Sequence, residues 1–206
     1  DVNKADNNGW TPLHFAAQNG HAVAIKALLE KGADVNKANK YGCTPLHFAV
    51  QNGHVGTIKA LLGKDADVNK ADEDGLTPLH IAVENGNVEA IKALLEKGAD
   101  VDQADIYNDG ATPLLIAVEN GNVEAIEALL KKGADVNKAN NNGLTPLYLA
   151  AQNGNVEAIE ALLKKDADVN KADNNGLTPL LIAVKNGHVG AIKALLGKDA
   201  DVNKAD

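Results

Sequence analysis

The chain repeats itself at a fixed interval. Thr-Pro-Leu begins at Thr11, Thr44, Thr77, Thr112, Thr145 and Thr178, giving spacings of 33, 33, 35, 33 and 33 residues. A second marker, Ala-Asp-Val, truncated to Asp-Val at Asp1, holds the same phase through Asp34, Asp67, Asp100, Asp135 and Asp168 to Asp201. A fixed period of this size specifies an array in which each copy packs on the next. The 206 residues therefore read as a single array over 1–206, with repeats at 1–33, 34–66, 67–99, 100–134, 135–167 and 168–200. Residues 201–206 open a seventh copy, and no linker or low-complexity tract interrupts the run.

Each copy predicts two short helices and an extended turn. In the third, Thr77 suits an N-cap and Pro78 the first helical position, where its missing N–H is harmless. Asn85-Gly86 stops that helix. A second begins at Asn87, with Val88, Ile91, Leu94 and Leu95 on one stripe, Glu89, Lys92 and Glu96 facing outward, and Gly98 closing it. Helices this short are unstable alone in water, so the stripe must be buried on a neighbouring copy.

TPLHFAA (11–17), TPLHFAV (44–50) and TPLHIAV (77–83), each followed by NGH or NGN, an aliphatic helix and ADVN, resemble ankyrin repeats over the whole chain. The resemblance implies an all-α repeat solenoid of helix-turn-helix pairs, with β-hairpin or turn fingers projecting from it. It also implies protein binding through the finger tips and the concave inner-helix face. The histidine of TPLH (His14, His47, His80) is then structural, tied to the preceding Thr and nearby backbone. Leu115, Tyr148 and Leu181 replace it in the last three repeats, which puts that network in doubt there. The Asn of ADVN (Asn36, Asn69, Asn137, Asn170) resembles an asparagine that some ankyrin proteins carry hydroxylated.

Composition narrows the chemistry. With no Ser or Arg, a serine nucleophile and an arginine clamp are both excluded. Twenty lysines face 28 acids for a net charge of −8, and 10 Lys and 14 acids lie on each side of Gln103. Such an evenly acidic chain is a poor match for nucleic-acid phosphates. No apolar run approaches the ~20 residues of a membrane span. One cysteine, Cys43, allows no internal disulfide and fits a reducing compartment. The absence of Met predicts a processed or excised start.

Function is expected where the copies differ. The fingertips read Asn7-Asn8, Lys40-Tyr41, Glu73-Asp74, Ile106-Tyr107-Asn108-Asp109, Asn141-Asn142 and Asn174-Asn175, the fourth being two residues longer. The residue before each Thr-Pro-Leu runs Trp10, Cys43, Leu76, Ala111, Leu144, Leu177; late in the first helix come Gln18, Gln51, Glu84, Glu119, Gln152 and Lys185. By resemblance these three sets line the binding surface. The candidates are the aromatic and apolar anchors Trp10, Tyr41, Ile106 and Tyr107, with Lys40, Glu73, Asp74, Glu84, Asp109 and Glu119. Asp72 and Asp105 add to the acids around the third and fourth repeats, so a basic partner segment is expected. Helices packed 8–10 Å apart make the ledge about 50 Å long over five steps.

Other constellations carry no chemistry. Asp105–Gly110 faintly resembles a calcium loop, but its twelfth position is Ile116 rather than Glu. All six histidines occupy repeat positions, so no metal, cofactor or catalytic site is expected. No capping repeat with a polar outer face is visible, which predicts a chain cut from a longer array or end faces covered by neighbours; a monomer or weak end-to-end contact through the uncapped terminal repeats is expected. Gly56, Gly63, Gly190 and Gly197 predict weak outer helices in the second and sixth repeats. The expected function is a non-catalytic protein-interaction scaffold. The identical blocks GNVEAIEALLKK at 121–132 and 154–165 leave open a consensus-designed scaffold without a native partner; the insertion, Cys43 and missing caps favour a natural origin.

Overall fold

The computed structural model describes residues 1–106, 108–198 and 200; Tyr107 and the opening of the seventh repeat at 201–206 lie outside them. The chain divides into two compact units, Asp1–Asp100 and Val101–Asp206. The first unit contains α1 (Pro12–Gln18), α2 (Ala22–Glu30), α3 (Pro45–Gln51), α4 (Val55–Leu62), α5 (Pro78–Glu84) and α6 (Val88–Glu96). The second contains α7 (Pro113–Glu119), α8 (Val123–Lys131), α9 (Pro146–Asn153), α10 (Val156–Leu163), α11 (Pro179–Lys185) and α12 (Val189–Leu196).

Local chemistry sets the helix ends. Thr77 caps α5 in extended conformation (φ −87°, ψ 164°), with Pro78 in its first turn. Asn87 starts α6, its Oδ1 accepting the Ala90 N–H at 3.0 Å. Gly32, Gly98 and Gly133 end outer helices in the left-handed region, and Asp65 and Asp166 adopt it in their place at φ 60° and 59°. Asp is among the few non-glycine residues that enter this region without prohibitive strain. The helix glycines divide: Gly56 and Gly190 lie inside α4 and α12, whereas Gly63 and Gly197 are C-caps. The expected helix penalty therefore falls on one glycine in each of those repeats rather than two.

Within each unit like packs on like. In the first, α3 lies between α1 and α5, and α4 between α2 and α6; in the second, α9 and α10 hold the corresponding middle places. Leu46, Ile58 and Leu61 are fully buried in the first unit, as are Leu147, Ile159 and Leu162 in the second. Burying each such side chain is worth roughly 1.5–3 kcal/mol. Leu62 is 4% exposed, while its counterpart Leu196 in α12 is 44% exposed. Phe15 and Val23 in the first repeat and Val184 and Val189 in the sixth are likewise exposed.

The connecting turns are stitched across repeats. Asn3 Oδ1 accepts the Asp34 N–H at 2.8 Å, while its Nδ2 donates to the Gly32 carbonyl at 3.0 Å. Asn36 and Asn69 accept from Asp67 and Asp100 in the same way, as Asn137 does from Asp168. The asparagine of ADVN is thus a structural bridge. Asp102 keeps the acceptor half, taking the Asp135 N–H at 3.0 Å.

Among the described residues the fingers form turns and no strands. Each tip closes on itself, as where Asp72 N–H donates to Leu76 O at 3.0 Å, and within each unit a tip bonds sideways to the one before it. Lys40 N–H donates to Asn8 O and Glu73 N–H to Tyr41 O, both at 3.1 Å. Gly42 is required for this approach: at φ +77°, an added Cβ would stand 2.8 Å from Glu73 N.

Asn69→Ala removes both halves of one bridge, whereas Asn69→Asp keeps the acceptor, as the fourth repeat does naturally. These bonds are exposed, so the expected cost in urea unfolding is about 1 kcal/mol for Asn69→Ala, with Asn69→Asp losing less.

Candidate partner-binding surface

One residue positions every finger. The Oδ1 of Asp6 accepts the N–H groups of Asn8 and Trp10 at 2.8 and 2.9 Å, and Asn39, Asp72, Asn140 and Asp173 hold their turns in the same manner. The fourth finger is longer, yet Asp105 still accepts from Asn108 and Ala111, at 3.0 and 3.1 Å. Asp109 then resumes the tip-to-tip register, its carbonyl accepting the Asn141 N–H at 2.7 Å. The register toward the fifth finger is thus kept although the fourth is two residues longer. Sequence reasoning passed over this Asp/Asn position, although it recurs five residues before Thr-Pro-Leu in every repeat but the fourth, where it is seven.

In the first unit the candidates divide by how far they are committed to the fold. Trp10 is half-buried, its ring centroid 4.3 Å from Phe48 and 5.1 Å from Phe15, so much of it already seals the first repeat against the second. Lys40 donates to Asn8 Oδ1 and its ammonium lies 5.0 Å over the Tyr41 ring. Tyr41 is 53% exposed. Glu73, Asp74 and Glu84 are exposed.

Glu84 borders a cleft of about 300 Å³ between the second and third repeats. Phe48, Leu76 and Ile81 give it apolar lining; Asp72 and Glu84 are acidic, and Cys43 and Gln51 complete much of the wall. Two of the three variable sets named from the sequence therefore meet here, as Cys43 and Leu76 and as Gln51 and Glu84, with Asp72 at the base of the third finger.

The second unit presents Ile106 at 69% exposure, with Asp109 and Glu119 also exposed. Tyr107 lies outside the described residues. Asp109 is at φ 56°, and its Oδ2 accepts from Asn142 Nδ2 at 2.9 Å, so it braces the fifth finger. Asp105 departs from the sequence expectation of a surface acid. It is 5% exposed, because its carboxylate is turned inward to hold the lengthened turn.

The buried polar groups serve the stack. His14 Nδ1 accepts the Thr11 N–H at 3.1 Å, which leaves the proton on Nε2 to be donated to the Cys43 carbonyl at 3.1 Å. His47 repeats this with Thr44 and the Leu76 carbonyl. Burial drives both imidazoles below their ordinary pKa, against the opposing effect of these carbonyl bonds. In the second unit the Thr112, Thr145 and Thr178 hydroxyls accept from the N–H three residues on, without a ring. Tyr148 fills the histidine place and hydrogen-bonds Asp173 of the next repeat; burial, then that carboxylate, raises its pKa. Burial by itself would raise the Asp173 carboxyl, but bonds from Leu177 and Asn175 hold it below the usual range. His54 and His188 each reach back at 3.0 Å, to the carbonyls of Gln18 and Gln152.

Cys43 is not set up as a nucleophile. Burial first, and then the charges of Asp72, Asp74 and Glu73, push its thiol up to about 11. The nearby His47 Nδ1 is already occupied by Thr44.

A family profile for ankyrin repeats (3 copies) matches residues 1–72, 57–140 and 133–206. The chain belongs to the ankyrin repeat family. Its repeats are also similar to a stretch of NAD-capped RNA hydrolase NUDT12 from Homo sapiens, Pongo abelii and Macaca fascicularis, at 52% identity over 33 residues. That stretch is 16% of this chain and 7% of each of those proteins. The likeness is one ankyrin repeat long and is no evidence of catalysis. The ankyrin repeat family is typically non-catalytic, and its repeats generally mediate protein–protein interactions. No helix among the described residues is long and apolar enough to cross a membrane.

The ankyrin histidines give the first unit a pH response. Their neutral forms stabilise it fully above the ordinary imidazole pKa of about 6.5, and that contribution is lost as pH falls below it, because the unfolded chain then binds protons more readily. Hydrogen exchange corrected for intrinsic rates, compared at about pH 7.5 and 5.5, should show residues 13–17 and 46–50 losing protection more than 114–118 and 147–151.

Proposed function

We propose that this chain is a non-catalytic protein-interaction scaffold, its six repeats forming one array whose finger tips and inner helix faces hold a partner protein. The observation that carries the reading is Ile106, a large apolar side chain 69% exposed on an insertion whose backbone returns to register at Asp109. Apolar surface held out on a braced turn is costly to solubility and suits a binding anchor. Tyr41, 53% exposed at a tip of the other unit, is a second anchor of the same kind. The repeated residues, in contrast, are spent on caps, bridges and core. Exposed Glu73, Asp74, Glu84 and Glu119, within a net charge of −8, favour a partner segment rich in lysine or arginine.

A weaker contact is proposed end to end. Phe15 in the first repeat and Val184, Val189 and Leu196 in the sixth are more exposed than their counterparts in the inner repeats.

Removing Ile106 and Tyr107 leaves Asn108-Asp109 as a two-residue tip like the other fingers, so the fold should survive. Affinity capture from lysate, quantified by mass spectrometry, should show proteins retained by the intact chain and depleted about tenfold or more by the shortened one. Equal capture by both, with both folded by circular dichroism, contradicts a role for this finger.

A further inference from the structure

The cleft between the second and third repeats has the lining of a receptor for one kind of side chain. Phe48, Leu76 and Ile81 supply apolar contact, and the charged residues in its wall are the acids Asp72 and Glu84. The remaining titratable members are neutral: burial holds His47 below its ordinary pKa, and Cys43 keeps its proton. Asp72 is fixed by its turn bonds to Asp74 and Leu76 N–H, at 3.0 and 2.9 Å, so its carboxylate is positioned before any ligand arrives. Its Oδ2 faces the Cys43 thiol at 3.9 Å. Exposed Glu73 and Asp74 on the adjoining fingertip extend the negative field outward.

We infer that this cleft receives a lysine or arginine side chain from an extended segment of a partner protein, its aliphatic stem lying on Phe48, Leu76 and Ile81 and its cationic head meeting Asp72 and Glu84. Long basic side chains are amphipathic in this way, burying the stem while the head stays hydrated. A purely apolar side chain would draw water away from two carboxylates without bringing them a countercharge, and an acidic one would be repelled. At about 300 Å³ the cleft is at the small end of ligand pockets and suits one side chain better than a bulky small molecule. The inference rests on the scaffold reading and names the chemistry that reading recognises in the first unit.

The chain itself supplies conservative controls. Asn39 occupies the place of Asp72 in the second repeat and holds its turn equally well, and Gln51 occupies that of Glu84. The double variant Asp72→Asn, Glu84→Gln removes two charges while preserving the turn. The test is NMR titration of the full chain with the hexapeptide AKAKAK, with AEAEAE as control. The expected result is saturable movement of the Ile81 methyl and the Gln51 and Leu76 amide signals by AKAKAK, weakened at least about fivefold in the double variant and absent with AEAEAE. Three results overturn the inference: no movement at these residues at millimolar peptide, equal affinity of the double variant, or an equal response to AEAEAE. Such a failure is separable from failure of the scaffold reading, because capture through the finger at 106–107 is scored on the other unit.

Discussion

Each repeat has one dry face and no second one of its own to bury it against. The helices run seven to nine residues, below the length at which a helix holds in water. Side chains such as Ile58 and Leu61 in α4 become fully buried because α2 and α6 pack on either side. Stability is therefore a property of interfaces between copies, and the same arrangement recurs around α10 in the second unit. The polar groups obey the same constraint. The His14 ring, the ADVN asparagines and the Tyr148 hydroxyl all connect one repeat to the next.

This division of labour frees the fingertips. Their backbone is fixed by one Asp or Asn side chain and by sideways bonds, leaving exposed side chains such as those of Glu73, Asp74 and Ile106 outside the bonds that hold the turns. Chemistry can change there from Asn-Asn to Lys-Tyr to Glu-Asp at little cost to the stack, and the two extra residues of the fourth finger leave its register with the fifth intact. Within each unit the result is a row of braced turns with adjustable contacts, the organisation a protein-binding surface needs.

The sequence made the periodic features legible because they arise within a repeat. Thr-Pro-Leu announces a cap and a first turn, Val88-Ile91-Leu94-Leu95 announces a buried stripe, and the 35-residue spacing locates the long finger. Features that depend on two repeats at once were harder to read. Trp10 looks like a free anchor until Phe48 is found stacked on it. Asp105 looks like a surface acid until its turn is traced, and Asp109 proves partly occupied with bracing Asn142. Gly63 and Gly197 look like helix breakers until they fall at the C-caps. The meeting of Cys43, Leu76, Gln51 and Glu84 around one cleft required the stacking of neighbours, although each position had been singled out separately.

The central claim is that no repeat owns a core. Circular dichroism of a synthetic peptide covering residues 67–99, beside the three-repeat segment 1–100, tests it most directly. The account predicts a peptide without native helix content and a cooperative, helical unfolding transition for the segment. A single-repeat peptide with the full helical signal and its own sharp transition would contradict it.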